Sequence, residues 1–172
     1  MSGPLARLPV GVVIERRAID NPWQDHVWRP VAVVPGAGPC PEWRVMRQGE
    51  GWVHYHAGTL DIELYAKDTG AYHVNLNNDA PQVYVVLRPD TSGAHEVAPF
   101  LVTVNPHEAE SYLTGGEGIV EGVAMPEEMM AWLQAFVDRH HVEVPFVKRQ
   151  RVPHKDRNAG SPPDPGDGKK SP

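Results

Sequence analysis

The chain has 172 residues, 41% of them hydrophobic and 22% charged, with 18 prolines, 16 glycines and a formal net charge of −6. That length accommodates one domain of ordinary size and an appendage, and so much proline and glycine favours short strands joined by tight turns over long helices. A single cysteine, Cys40, excludes a disulfide within the chain and any cysteine-ligated cluster or zinc that lacks ligands from elsewhere.

Charge is unevenly placed. Residues 1–145 carry 9 Lys+Arg against 19 Asp+Glu, whereas residues 146–172 carry 7 against 3. An acidic domain repels phosphate backbones, so nucleic-acid binding by the folded part is not expected. The apolar run Leu8–Ile14 ends in Glu15-Arg16-Arg17 and lacks the features of a secretory signal. No stretch approaches the roughly 20 apolar residues of a membrane helix. The expectation is a cytoplasmic protein without membrane insertion.

In chain order, Val10, Val12 and Ile14 predict a first strand. The segment Ala18–Val27 reads as a polar loop holding Trp23. Trp28–Val34 predicts a second strand, which Pro30 confines to an edge or a strand start. Pro35–Pro41 (PGAGPCP) reads as a loop. Trp43–Arg47 and Trp52–His56 then flank a glycine-rich turn. Leu60, Ile62 and Leu64 alternate with Asp61 and Glu63, and Tyr72, Val74 and Leu76 with His73, Asn75 and Asn77. With Val83–Leu87 these predict a meander in which each strand lies beside its predecessor.

An eighth strand, Phe100–Val104, leads to a short helix. Asn105 suits its N-cap, Pro106 its first position and Gly115-Gly116 its end. A longer helix follows over 126–141, with Met129, Trp132, Leu133, Phe136 and Val137 on one face. Such a stripe ordinarily packs on its own sheet. The predicted class is therefore α+β: a mostly antiparallel β meander forming a small barrel or sandwich, with the short helix and the longer C-terminal helix packed on it. The globular domain is expected over residues 1–147. Residues 148–172 lack core-forming side chains and are expected to be a disordered basic tail.

Catalytic motifs are scarce. His54 and His56 lie two apart in a strand and could supply two metal ligands, but the sequence places no third, and alternating histidines also suit a solvated sheet face. Cys40 has no basic neighbour to lower its pKa. The prolines of Pro35–Pro39 remove amides that a phosphate cradle would use, and no P-loop lysine follows. No cofactor is expected. The stretch Asn21–Trp28 (NPWQDHVW) is the most unusual. Trp23 and Trp28 either plug the open end of a barrel, the commoner arrangement, or anchor contacts with a partner. On the second reading the candidate contact residues are Trp23, Asp25 and Trp28, together with Lys148, Arg149 and Arg151 of the basic run.

Five stretches carry a resemblance: LPVGVVIERRAIDNPWQDHVWRPVAVVPG; YHAGTLDIELY; VYVVLRPD; and HEVAPFLVTVNPHEAESY followed by EGVAMPEEMMAWLQAFVDRHHVEVPFVKR. Over residues 7–149 they resemble a proteobacterial domain-of-unknown-function family (3305). The resemblance implies a genomic neighbourhood with a molybdenum-dependent formate dehydrogenase and its maturation factors. With the scarcity of catalytic motifs, that neighbourhood leads to the expectation of a non-catalytic accessory protein with a formate dehydrogenase subunit or maturation factor as partner. The alternatives are a small ligand-binding β barrel and a metal-dependent enzyme using the His54/His56 face. Members of such families are sometimes labelled molybdopterin-guanine dinucleotide biosynthesis proteins. A guanylyltransferase of that kind opens with a strand, a glycine-rich loop ending in Arg and Lys, and a helix. Here the first strand runs into Glu15-Arg16-Arg17 and a tryptophan loop, so that chemistry is not expected.

Overall fold

The computed structural model describes residues 3–116 and 118–141, which form seven strands in two sheets and three α-helices. The first sheet has the order β2-β1-β4-β3, built from β1 (Ala6–Ala18), β2 (His26–Pro35), β3 (Arg44–Gly49) and β4 (Trp52–Leu64). The second has the order β6-β5-β7, from β5 (Gln82–Pro89), β6 (Val97–Thr103) and β7 (Ile119–Ala124). Every pairing is antiparallel. The helices are α1 (Thr69–Leu76), α2 (Pro106–Gly115) and α3 (Glu127–His140). The class is thus α+β and mostly antiparallel. Neither sheet closes into a barrel among the described residues. The expected boundary at residue 147 and the tail 148–172 lie outside those residues.

Strand β1 is the centre of the first sheet, paired on both sides. Its register shifts at Val13 against both neighbours, so strict alternation is interrupted and Val12, Val13 and Ile14 are all buried. Pro30 sits opposite Ile14 at one of these shifts, on an edge strand, where a missing amide costs least. In β4, Ile62 and Leu64 are buried while Asp61 and Glu63 are exposed, as their alternation predicted.

The expected meander is not formed. Residues 52–56 and 60–64, read as separate strands, are halves of β4, and β4 pairs with β1 as well as with β3. The segment read as the strand Tyr72–Asn77 is the helix α1. Six alternating residues suit a strand, but Thr69, Tyr72 and Asn75 recur every third position and form the buried face, leaving Val74 exposed. Asn75 Nδ2 donates to the carbonyls of Gln82 and Val104 at 2.8 and 2.9 Å, and its Oδ1 accepts from the Gln82 amide at 3.0 Å. An asparagine on an outer sheet face would make none of these bonds. Strand β7 was not anticipated, because Glu121 and Gly122 interrupt its apolar pattern. Gly122 lies against the Gln82 side chain, where a Cβ would collide.

The remaining helices match expectation. The Asn105 side chain accepts from the amides of His107 and Glu108, and Gly116 ends α2 in the left-handed region at φ 68°. On α3, Met129, Leu133, Phe136 and Val137 are buried in one apolar core with Tyr72 of α1 and residues of both sheets. The stripe therefore packs on its own domain. Among the described residues no helix is long and apolar enough to cross a membrane.

Candidate functional site

Beyond the apolar core, the first sheet carries a cluster of aromatic rings. Trp28 of β2 meets Trp43, just before β3, edge to face at 5.6 Å between centroids, and both contact Tyr55 of β4. Such edge-to-face pairs add to the area they bury because ring edges and faces carry opposite partial charge. The Arg16 guanidinium of β1 lies 6.0 Å from the Trp28 ring centre.

The loop joining β5 to β6 is built to reach this cluster. Asp90 accepts from the amides of Ser92 and His95 at 3.0 and 2.9 Å, and Gly93 takes φ 79°, which an L side chain rarely adopts. The folded loop aims two side chains at the first sheet. His95 stacks on Trp43, with centroids 3.9 Å apart and planes 10° from parallel. Glu96 accepts from Trp28 Nε1 at 3.0 Å.

His26 joins the two parts. Its Nε2 lies 3.0 Å from both Glu96 oxygens, and its Nδ1 contacts the carboxylate of Asp25. The Trp28 donor, followed by His26, lowers the Glu96 pKa, and the His26 contact lowers that of Asp25, so both favour the charged form. Beside them opens a groove of about 810 Å³, lined by the stretch Asn21–Trp28 with Glu96, Val97 and Ile119.

The structure separates the tryptophans that the sequence treated together. Trp28 is half-buried in the ring cluster. Trp23 is 88% exposed at the groove, which overturns the plug reading for it. Its backbone amide donates to Asn21 Oδ1 at 2.9 Å. A plug needs a closed barrel to fill, and none is formed among the described residues. Asp25 is exposed and lies between the two tryptophans in sequence. Lys148, Arg149 and Arg151 lie outside the described residues. Glu96, Trp43, His95 and Tyr55 were not anticipated as site residues, since only the paired sheets bring them to Trp28.

His54 and His56 have separate commitments. His54 Nε2 lies 2.8 Å from Glu15 Oε2, while His56 Nε2 lies 3.2 Å from Thr59 Oγ1 and its Nδ1 3.5 Å from Arg44. Among the described residues no group of three or more His, Cys, Asp and Glu side chains is arranged to hold a metal ion. The Cys40 thiol donates to the carbonyls of Glu42 and His56.

Glu15 is the buried charge of this region. The bonded Arg17 guanidinium holds its carboxyl at about 2, against the upward pull of burial, and His54 adds to the lowering. Because the carboxyl ionises more readily folded than unfolded, its stabilisation is complete above pH 4.5 and disappears as pH falls through about 2. Glu15→Gln is therefore expected to lower the unfolding free energy by about 2 kcal/mol at pH 7. In urea titrations the gap to the unmodified protein should close on acidification. A gap that widens at low pH would show that Glu15 is not held ionised.

Fold and site together define an α+β protein of two antiparallel sheets with an aromatic, acid-lined groove that residues of both sheets line. The chain belongs to the family described as Protein of unknown function (DUF3305), whose model matches residues 9–150. No curated protein matches the chain, and no solved structure does.

Proposed function

We propose that this chain is a cytoplasmic, non-catalytic accessory protein that works by protein contact through the groove beside Trp23. The observation that carries the reading is the 88% exposure of Trp23 beside a groove of about 810 Å³. A large ring left in water gains much by being covered, and aromatic anchors of this kind dominate binding energy at protein interfaces. Trp28, on one side of the groove, is held by its contacts with Trp43 and Glu96, so this part of the wall is in place without a partner.

The partner we propose is a subunit or maturation factor of a molybdenum-dependent formate dehydrogenase, whose assembly, maturation or operation the contact supports. This part rests on the resemblance of the five quoted stretches and the genomic neighbourhood that it implies. Tagged full-length protein purified from its native host is expected to bring formate dehydrogenase subunits with it. The Trp23→Ala protein should recover at least about tenfold less. Equal recovery with and without Trp23 would remove the groove from the contact. Absence of the enzyme from both purifications would remove the partner.

A further inference from the structure

We propose that the outer face of the first sheet receives an extended, acidic polypeptide segment of a partner protein. Residues directly opposite one another in an antiparallel pair share a face. The registers therefore set Arg29 of β2, Glu15 of β1, His54 of β4 and Arg47 of β3 in one row across all four strands. The neighbouring rows add Arg17 beside Trp52 on one side and His56 beside Arg44 on the other. Val10, Val12 and Ile14, on the other face of β1, belong to the apolar core, so the row stands on the outer face. The surface is separate from the groove, because Trp28, which lines the groove, alternates with Arg29 along β2.

This face concentrates positive charge in an acidic domain. Residues 1–145 hold nine Lys+Arg, and four of these, Arg17, Arg29, Arg44 and Arg47, stand here, all exposed. The carboxylate among them, Glu15, is buried and already bonded to Arg17 and His54. No ion pair holds Arg29, Arg44 or Arg47 among the described residues. The loop from β2 to β3 bounds the patch at one end, where Ala37 lies against Gly11 and Thr59 Oγ1 donates to the Gly38 carbonyl at 2.7 Å.

The spacing selects the occupant. Arg29 and Arg47 lie on the two edge strands, three strand spacings or about 14 Å apart, which no single carboxylate or phosphate group spans. An extended chain presents side chains to one side about every 7 Å, so acidic residues at alternate positions reach along the whole row. Guanidinium and carboxylate then pair through two parallel hydrogen bonds. A nucleic-acid strand suits the face less, because its charge continues past the row. Asp61 and Glu63 of β4 stand farther along the same face, opposite Pro9 and Arg7. Apart from the four arginines, residues 1–145 carry five basic residues against 19 acidic, which repel a phosphate backbone.

Fluorescence anisotropy of a labelled dodecapeptide of alternating Glu and Ser, titrated with the full-length protein, tests this. Saturable binding is expected, and a peptide of alternating Gln and Ser should not bind. Arg29→Gln/Arg47→Gln alters exposed side chains at the two ends of the row and should weaken binding at least about tenfold. Arg17 is left in place because it holds Glu15. A control with the same change in net charge, Lys148→Gln/Arg149→Gln, should weaken binding by less than about twofold. Thermal melting verifies that each variant is folded. Absence of saturable binding to the wild type, or equal loss in both double variants, would overturn the proposal. So would a twelve-nucleotide oligothymidylate that binds the wild type more tightly than the acidic peptide does. Sedimentation in which the wild type self-associates and Arg29→Gln/Arg47→Gln does not would assign the face to a second copy instead, and would equally overturn it.

Discussion

Replacing Asn75 with alanine is expected to lower the unfolding free energy by about 3 kcal/mol, the largest loss from any polar substitution described above. The side chain is fully buried and ties three backbone groups together: the amide and carbonyl of Gln82 at the start of β5, and the carbonyl of Val104 just after β6. Alanine would leave an amide and two carbonyls without these partners in a site closed to water, at about 1–3 kcal/mol for an orphaned group. Asn75→Asp should be at least as damaging, because a carboxylate cannot donate to the two carbonyls and would bring a charge into the core. Urea unfolding followed by circular dichroism measures both. A loss below about 1 kcal/mol for Asn75→Ala would mean that the junction of α1 with the second sheet does not depend on it.

Trp23 of the β1–β2 loop and Trp28 of β2 should behave oppositely. Trp23→Ala removes a ring that is almost wholly in water, so stability should change by less than about 0.5 kcal/mol while binding falls at least about tenfold. Trp28→Ala removes contacts with Trp43, Tyr55 and His26 and takes away a donor to Glu96. For a half-buried ring this should cost about 2 kcal/mol of stability, with the site lost as a consequence. Melting curves and recovery assays on the same two proteins distinguish these effects. A Trp23→Ala protein that unfolds would mean that the ring serves the fold and not a partner.

Much of the architecture was legible where local chemistry and tertiary packing agree. Asn105, Pro106 and Gly116 mark the ends of α2 by backbone rules that need no neighbours. The α3 stripe and the Asp61/Glu63 alternation reflect which side of an element meets the core. The sequence misled where two periods fit equally well. In residues 72–77 a strand would bury Tyr72, Val74 and Leu76, and only the bonds of Asn75 to distant backbone show that a helix buries Tyr72 and Asn75 instead. Strand β7 was hidden by Gly122, whose missing side chain makes room for Gln82. The site was half visible. The stretch Asn21–Trp28 stood out by composition, but Glu96 lies 70 residues beyond His26, and no local pattern announces that pairing.

Formate dehydrogenase activity in a strain lacking this protein, grown with ample molybdate, tests the central claim most directly when full-length wild type or Trp23→Ala is supplied back at equal level. The expected result is low activity in the deletion strain, restored by the wild type and not by the folded Trp23→Ala protein. Normal activity in the deletion strain would contradict the accessory role itself, and full restoration by Trp23→Ala would contradict the groove as the surface through which that role is exercised.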